Sequence, residues 1–183
     1  MRAIPLTVAA LAAALLLTGC DGGGGSSSSG SGGSSSSGDS KNGTACSLDR
    51  VALEVGPASV APSVGDTGQV PVTVTNRGSK CTLDDFPGVR LARGGDDVSL
   101  PAEKGATAQK LTLAKDEAAT FTITYQRGRK GDKLSLDADT LKVSLPPGDT
   151  KAQSFKWTYG SVAAKGDIGK VIASVSAFTQ AGD

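Results

Sequence analysis

VPVTVTN, residues 70–76, sets valine against proline and threonine at every second position, and that spacing decides the fold. Successive side chains of an extended strand point to opposite faces, so Val70, Val72 and Val74 share one face while Pro71, Thr73 and Thr75 share the other. The period recurs upstream, where Val51, Leu53 and Val55 alternate with Ala52 and Glu54. It recurs downstream, where Phe121, Ile123 and Tyr125 fall in register. Further strands are predicted over 89–91, 110–113, 141–145, 154–159 and 171–178, and no window sustains a helical 3.6 period with caps. Gly, Pro, Asn and Asp mark turns at 76–79, 93–97 and 127–132 and a stop at 146–148. Proline lacks the N–H that a ladder needs, so the strand holding Pro71 is predicted at an edge or with a bulge there. Seven or more short strands at this spacing predict an all-β domain, an immunoglobulin-like antiparallel β-sandwich over residues 46–183. Trp157, Phe155, Phe121 and Phe178 are read as its core or near-core.

The residues before that domain have a different composition. Arg2 gives a short positive start, and residues 3–17, AIPLTVAALAAALLL, are apolar enough for the h-region of an export signal but short for a span of ~20 residues. Leu17, Thr18, Gly19 and Cys20 follow, and this resembles the lipobox of bacterial lipoproteins: a branched residue, a small one, Gly or Ala, then Cys. The resemblance implies a signal peptide over residues 1–19 and a diacylglycerol on the sulfur of Cys20. An ordinary cleaved signal that happens to precede a cysteine is the plainer alternative. Residues 21–40 are Gly and Ser with two aspartates, a composition that buries nothing and behaves as a random coil. Residues 20–45 then read as a lipidated cysteine and a tether of about 25 residues. Its root-mean-square reach is roughly 25–30 Å. A low-complexity insertion without a role is the alternative to the tether.

The chain has three cysteines. With Cys20 taken by lipid, Cys46 and Cys81 remain, and outside the reducing cytosol their expected state is a disulfide. Closing a loop of about 35 residues would stabilise the fold by roughly 3–4 kcal/mol. Redox chemistry is the alternative, but the pair lacks CxxC proximity.

Among 183 residues there are 19 Lys or Arg against 18 Asp or Glu, so a net charge of +1 offers no global field to draw nucleic acid or an acidic membrane. Histidine is absent and the single methionine is Met1, which removes most hydrolase triads and the usual zinc and copper ligands. Paired carboxylates or a serine with a lysine could still catalyse, yet the reading taken is of a protein that is not an enzyme, with no catalytic residue, cofactor or metal.

Acidic pairs stand at Asp84 and Asp85, Asp96 and Asp97, Asp116 and Glu117, and Asp137 and Asp139. Oxygen ligands from neighbouring loops can hold calcium, but none of these shows the spacing of a dedicated loop, and acidic turn residues are common. The stretch QRGRKGDK presents Arg127, Arg129, Lys130 and Lys133 between two strands, where they could touch an anionic wall polymer or phospholipid headgroups. A solvated hairpin tip is the plainer reading of them, and the one favoured here. No aromatics are interleaved with these charges, so a nucleic-acid groove is not indicated.

The stretch TVTNRGSKCTLDDFPGVRL, residues 73–91, resembles the signature of DUF4232, a domain family of unknown function common in actinobacterial lipoproteins. In that signature a strand ends in Asn and is followed by a Gly-containing turn, a Cys and then a Leu two residues on. An aromatic, Pro, and Val or Ala then lead into the next strand. Asn76, Gly78, Cys81, Leu83, Phe86 and Pro87 match the pattern, as do Gly88, Val89 and Leu91. LTLAKDEAATFTITY and LKVSLPPGDT resemble two later blocks. Asp85 stands where the family usually has Gly, Lys115 and Asp116 replace its Pro-Gly turn, and a second cysteine pair found in some members is missing. The resemblance covers most of residues 46–180. It implies an immunoglobulin-like sandwich on a secreted or lipid-anchored protein, and carries over no catalytic residue, since the family has no established ones.

The function expected is therefore a membrane-anchored extracytoplasmic lipoprotein whose sandwich binds an envelope protein or wall polymer through its loops. A secreted hydrolase or protease inhibitor acting through an exposed loop is the alternative. A transporter's substrate receptor is disfavoured, because one sandwich offers no cleft between domains. Oligomeric state is not indicated by any of these features.

Overall fold

The computed structural model describes residues 44–148 and 151–182. The signal segment 1–19, Cys20 and the Gly/Ser tract lie outside the described residues, as does most of the linker. After a 3-10 turn at Leu48–Arg50, the chain runs through β1 (Val51–Val55), β2 (Thr67–Asn76), β3 (Cys81–Leu83), β4 (Gly88–Arg93) and β5 (Asp96–Ser99). It continues through β6 (Leu111–Leu113), β7 (Ala118–Gln126), β8 (Ser135–Leu136), β9 (Thr140–Ser144) and β10 (Gln153–Lys156). The last strands are β11 (Val162–Ala163), β12 (Ala173–Val175) and β13 (Thr179–Gln180).

One sheet has the order β1-β2-β7-β12, with β13 continuing along the same edge of β7. The other has the order β10-β9-β4-β5. Two short ribbons, β3 with β6 and β8 with β11, close the ends. All the pairings between named strands are antiparallel. In immunoglobulin terms β1, β2 and β7 stand as A, B and E, while β4, β9 and β10 stand as C, F and G. The edge beyond E is supplied from the C-terminal end by β12 and β13.

The period-two reading holds at both long strands. Val70, Val72 and Val74 of β2 and Phe121, Ile123 and Tyr125 of β7 are all buried, and the two strands are in register with Val72 opposite Phe121. They meet Val89, Leu91, Leu141 and Val143 of the second sheet in one apolar cluster. Trp157 and Phe178 are buried in it, and Phe155 packs against it partly exposed. Phe121 and Phe178 pack edge-to-face at 5.4 Å between ring centroids. Tyr125 and Trp157 do so at 5.2 Å, an arrangement that adds about 0.5–1.5 kcal/mol per pair beyond area burial.

Pro71 is not on an edge strand: β2 has β1 on one side and β7 on the other. Its ring is tolerated because the β1 ladder stops there. The Gly56 amide donates to the Pro71 carbonyl, and the next contact is the reciprocal pair between Ser59 and Gln69. Residues 56–59 thus lie opposite only 69–71, so the partner chain bows away where proline has no N–H to offer.

Cys46 and Cys81 form a disulfide, with their Cα atoms 4.9 Å apart. It ties the entry of the chain to the start of β3, beside the amide of Cys46 donating to the Thr82 carbonyl. Asn76 lies at the same end and is wholly buried. Its Nδ2 donates to the carbonyls of Ser79, Leu113 and Ala114 at 3.0–3.1 Å, and its Oδ1 accepts from the Gly78 amide at 2.9 Å. A family-signature residue on a strand's last position is therefore the latch between the β2–β3 turn and the β6–β7 turn.

Both departures from the family's glycines fall at special backbone. Asp85 has φ +106° and Asp116 has φ +66°, the two non-glycine residues with positive φ among those described. Asp116 sits in the left-handed well that Asp tolerates, whereas Asp85 lies outside it. The Asp85 carboxylate accepts from the next amide, that of Phe86, at 2.7 Å.

Candidate functional site

The described domain has two poles. At one, the chain enters: residues 44–50, the turn after β2 and the β6–β7 turn gather around the disulfide and Asn76. At the other, the beginning of β2 and the end of β7 are flanked by loops 57–66, 127–134 and 158–172. Strand β2 runs from the second pole to the first, and its ten residues at about 3.3 Å each separate them by roughly 30 Å.

Backbone hydrogen bonds lace the second pole together. The amide of Gly65 donates to the Arg127 carbonyl, and the amide of Arg127 donates to the Asp66 carbonyl. Gln126 takes its amide to Ile172, Gly128 to Ser161, and Ala164 to the carbonyl of Leu134. Gly128 leaves no room for a Cβ, because the Ser135 side chain and the Ala163 amide lie against it. The four basic residues of the loop are divided by this arrangement. Arg127 is half-buried, and its Nη1 donates to the Ala61 carbonyl at 2.7 Å, so it holds loop 57–66 to the strand end. Arg129, Lys130 and Lys133 are exposed and form no ion pair with any of the described residues.

Beside them lies a polar cleft of about 450 Å³ lined by Arg93, Lys130, Asp137, Asp139, Trp157 and Ser161 among others. Asp137 is its centre. Its carboxylate accepts from the Ser161 hydroxyl, from the Gly131 amide at 3.1 Å, and from Arg93 Nη1 at 3.0 Å. The Ser161 hydroxyl holds the Asp137 carboxyl below its ordinary range against a desolvation that pushes upward, and Gly131 and Arg93 add to the lowering. A carboxylate so held is a weak base and stays ionised, so it clamps loop 127–134 to Ser161, just before β11, and does little to activate that serine as a nucleophile. Beneath the cleft Trp157 donates its Nε1–H to the Gly160 carbonyl at 2.7 Å and packs edge-to-face on Tyr159 at 4.9 Å. Burial raises the Tyr159 phenol above its ordinary range, and Tyr125 acts in the same direction. The hydroxyl of Tyr125 donates to the Tyr159 carbonyl at 2.8 Å.

The acidic pairs are scattered and engaged. Asp84 pairs with Lys110, Asp97 with Lys142 and Arg90, and Asp116 with Arg77. Glu117 accepts from the Ala114 amide, and Asp139 from the Thr140 hydroxyl. No group of three or more His, Cys, Asp or Glu able to hold a metal ion occurs among the described residues.

Sequence reading brought Arg129, Lys130 and Lys133 to this pole and missed what stands beside them. Lys165 and Lys170 come from a loop far along the chain, and Val60, Val64, Leu134, Ile168 and Ile172 are exposed there. The signal was KGDIGKVI, an isoleucine set between Gly, Asp and Lys in a turn-like stretch where an apolar residue has no strand to belong to.

A family model described as "Domain of unknown function (DUF4232)" matches residues 46–179, from the first disulfide cysteine to the start of β13. No curated protein matches the chain. The match takes in both sheets, the Asn76 latch and the disulfide, and the chain belongs to the DUF4232 family.

Proposed function

We propose that the chain is an exported protein held by lipid on Cys20 at the extracytoplasmic face of a bacterial membrane, with its sandwich serving as a non-enzymatic binding module. One observation carries the reading. Cys46 and Cys81 are joined, so of the three cysteines Cys20 alone is left, and it closes the apolar run in the order Leu17, Thr18, Gly19, Cys20. The disulfide itself supports an oxidising compartment. Absence of histidine and the structural engagement of Asp137 support binding over catalysis. Envelope protein or wall polymer is the class of partner the loops would meet.

Intact mass of the product from membranes tests the anchor. The expected mature chain begins at Cys20 and carries a diacylglyceryl group, and Cys20→Ser moves the protein from the membrane fraction to the soluble one. An unmodified chain beginning elsewhere refutes the proposal.

A further inference from the structure

All five large apolar side chains that the described residues leave exposed lie at one pole: Val60, Val64, Leu134, Ile168 and Ile172, each 42–56 % exposed. They sit on the three loops that the hydrogen bonds of Gly65, Gln126, Arg127 and Ala164 hold together. Charge is segregated to the same place. Loops 57–66, 127–134 and 158–172 carry six basic side chains against three acidic ones, while the whole chain balances to +1.

The three carboxylates there are used locally. Asp66 accepts from the Ser63 amide at 3.0 Å, Asp132 from the Leu134 amide at 2.9 Å, and Asp167 pairs with Lys170 at 3.3 Å. Arg129, Lys130, Lys133 and Lys165 form no ion pair with any of the described residues. We propose that this pole docks on an anionic phospholipid surface, its four unpaired cations meeting headgroups while the aliphatic tips enter the interface. The inference rests on the proposed function only in placing a membrane within reach.

Two features favour a bilayer over a protein. The apolar residues are spread over three loops, two of which also carry the cations, and a fluid interface accepts such tips at any spacing, with no matching pocket required. Protein interfaces draw their energy from aromatic anchors, and here Trp157 and Tyr125 are buried inside. Reach is sufficient. The chain enters the domain roughly 30 Å from this pole, and the segment of about 25 residues read as a tether spans up to ~85 Å when extended. The lipid and the docked pole would then hold the domain at two points, as one acyl signal combined with a basic patch does.

The test is sedimentation with vesicles, using the Cys20→Ser chain without residues 1–19, so that no lipid anchor contributes. Vesicles of phosphatidylcholine alone are compared with vesicles containing about one-third phosphatidylglycerol. Each cation near an anionic surface contributes about fivefold, so partition onto the anionic vesicles should exceed that onto neutral ones by at least on the order of a hundredfold at low salt, and should fall as salt is added. Arg129→Glu with Lys130→Glu and Lys133→Glu should abolish the difference. Val64→Ser with Ile168→Ser should weaken partition about tenfold while leaving its salt dependence unchanged. These side chains are exposed, and unchanged thermal unfolding checks that the variants remain folded. Equal partition onto both vesicles, or anionic binding that survives both sets of substitutions, overturns the proposal. Binding to neither also overturns it, and leaves the pole to a protein partner. Failure of the anchor at Cys20 would show in the mass of the native product and not in this assay, so the two outcomes are separable.

Discussion

Replacing Asn76 by alanine should cost the domain about 3–4 kcal/mol, a large part of the 5–15 kcal/mol that holds a typical domain folded. The amide has two N–H protons for the carbonyls of Ser79, Leu113 and Ala114, so one proton is shared, and its oxygen accepts once from Gly78. That is three full hydrogen bonds at about 1 kcal/mol each, with an added penalty for the buried carbonyl of Leu113 left without this donor. Urea unfolding followed by Trp157, the single tryptophan and a buried one, reads the loss as a lower midpoint at constant slope. Asn76→Asp sharpens the test, because its carboxylate would face carbonyl oxygens and its folded pKa would lie above the unfolded value of about 3.9. The folded state then binds more protons than the unfolded one, so stability falls as pH rises through that interval and is partly regained in acid. A loss below about 1 kcal/mol for the alanine variant, or an aspartate variant as stable as wild type at neutral pH, would refute the latch.

Two further measurements bear on other parts of the domain. Asp85→Gly should stabilise the fold by about 1 kcal/mol, since relief at φ +106° outweighs the entropy of glycine and the exposed bond to Phe86. Asp116→Gly should gain nothing, because φ +66° suits Asp and its exposed pairing with Arg77 is lost; a thermal shift larger at Asp116 than at Asp85 would contradict this account. Ser161→Ala should raise the pKa of Asp137 in an NMR titration, since the hydroxyl is the largest cause of its lowering. A depressed folded pKa adds stability above the unfolded value that is lost as pH falls through the folded one, so the variant should also lose part of that increment at neutral pH and none of it in strong acid. An unmoved carboxyl would assign the lowering to Arg93 and Gly131.

The most legible strands were those that turn one face to the core along their whole length, β2 and β7 between two neighbours and β1 at a sheet edge. β2 and β7 alternate over nine or ten residues because every second side chain enters the core. β5, Asp96–Ser99, escaped because an edge strand needs only one buried residue, here Val98, and its two aspartates read as part of the turn at Gly94 and Gly95. β3, β8, β11 and β13 are two or three residues long, too short for any period to register. At the candidate site, composition identified the basic loop but could not separate Arg127 from its neighbours. That difference lies in whether a carbonyl from loop 57–66 is 2.7 Å away, which is a fact about two segments distant in sequence.

Local chemistry determined, by itself, the all-β class, the pairing of Cys46 with Cys81 and the family, because alternation, cysteine number and turn residues act within short stretches of chain. Only the tertiary structure decided that Asn76 is a buried latch, that Pro71 is central, and that five aliphatic tips converge with four unpaired cations. Those properties depend on which segments the sheets bring together, and a single strand's pattern is blind to its neighbours across the fold.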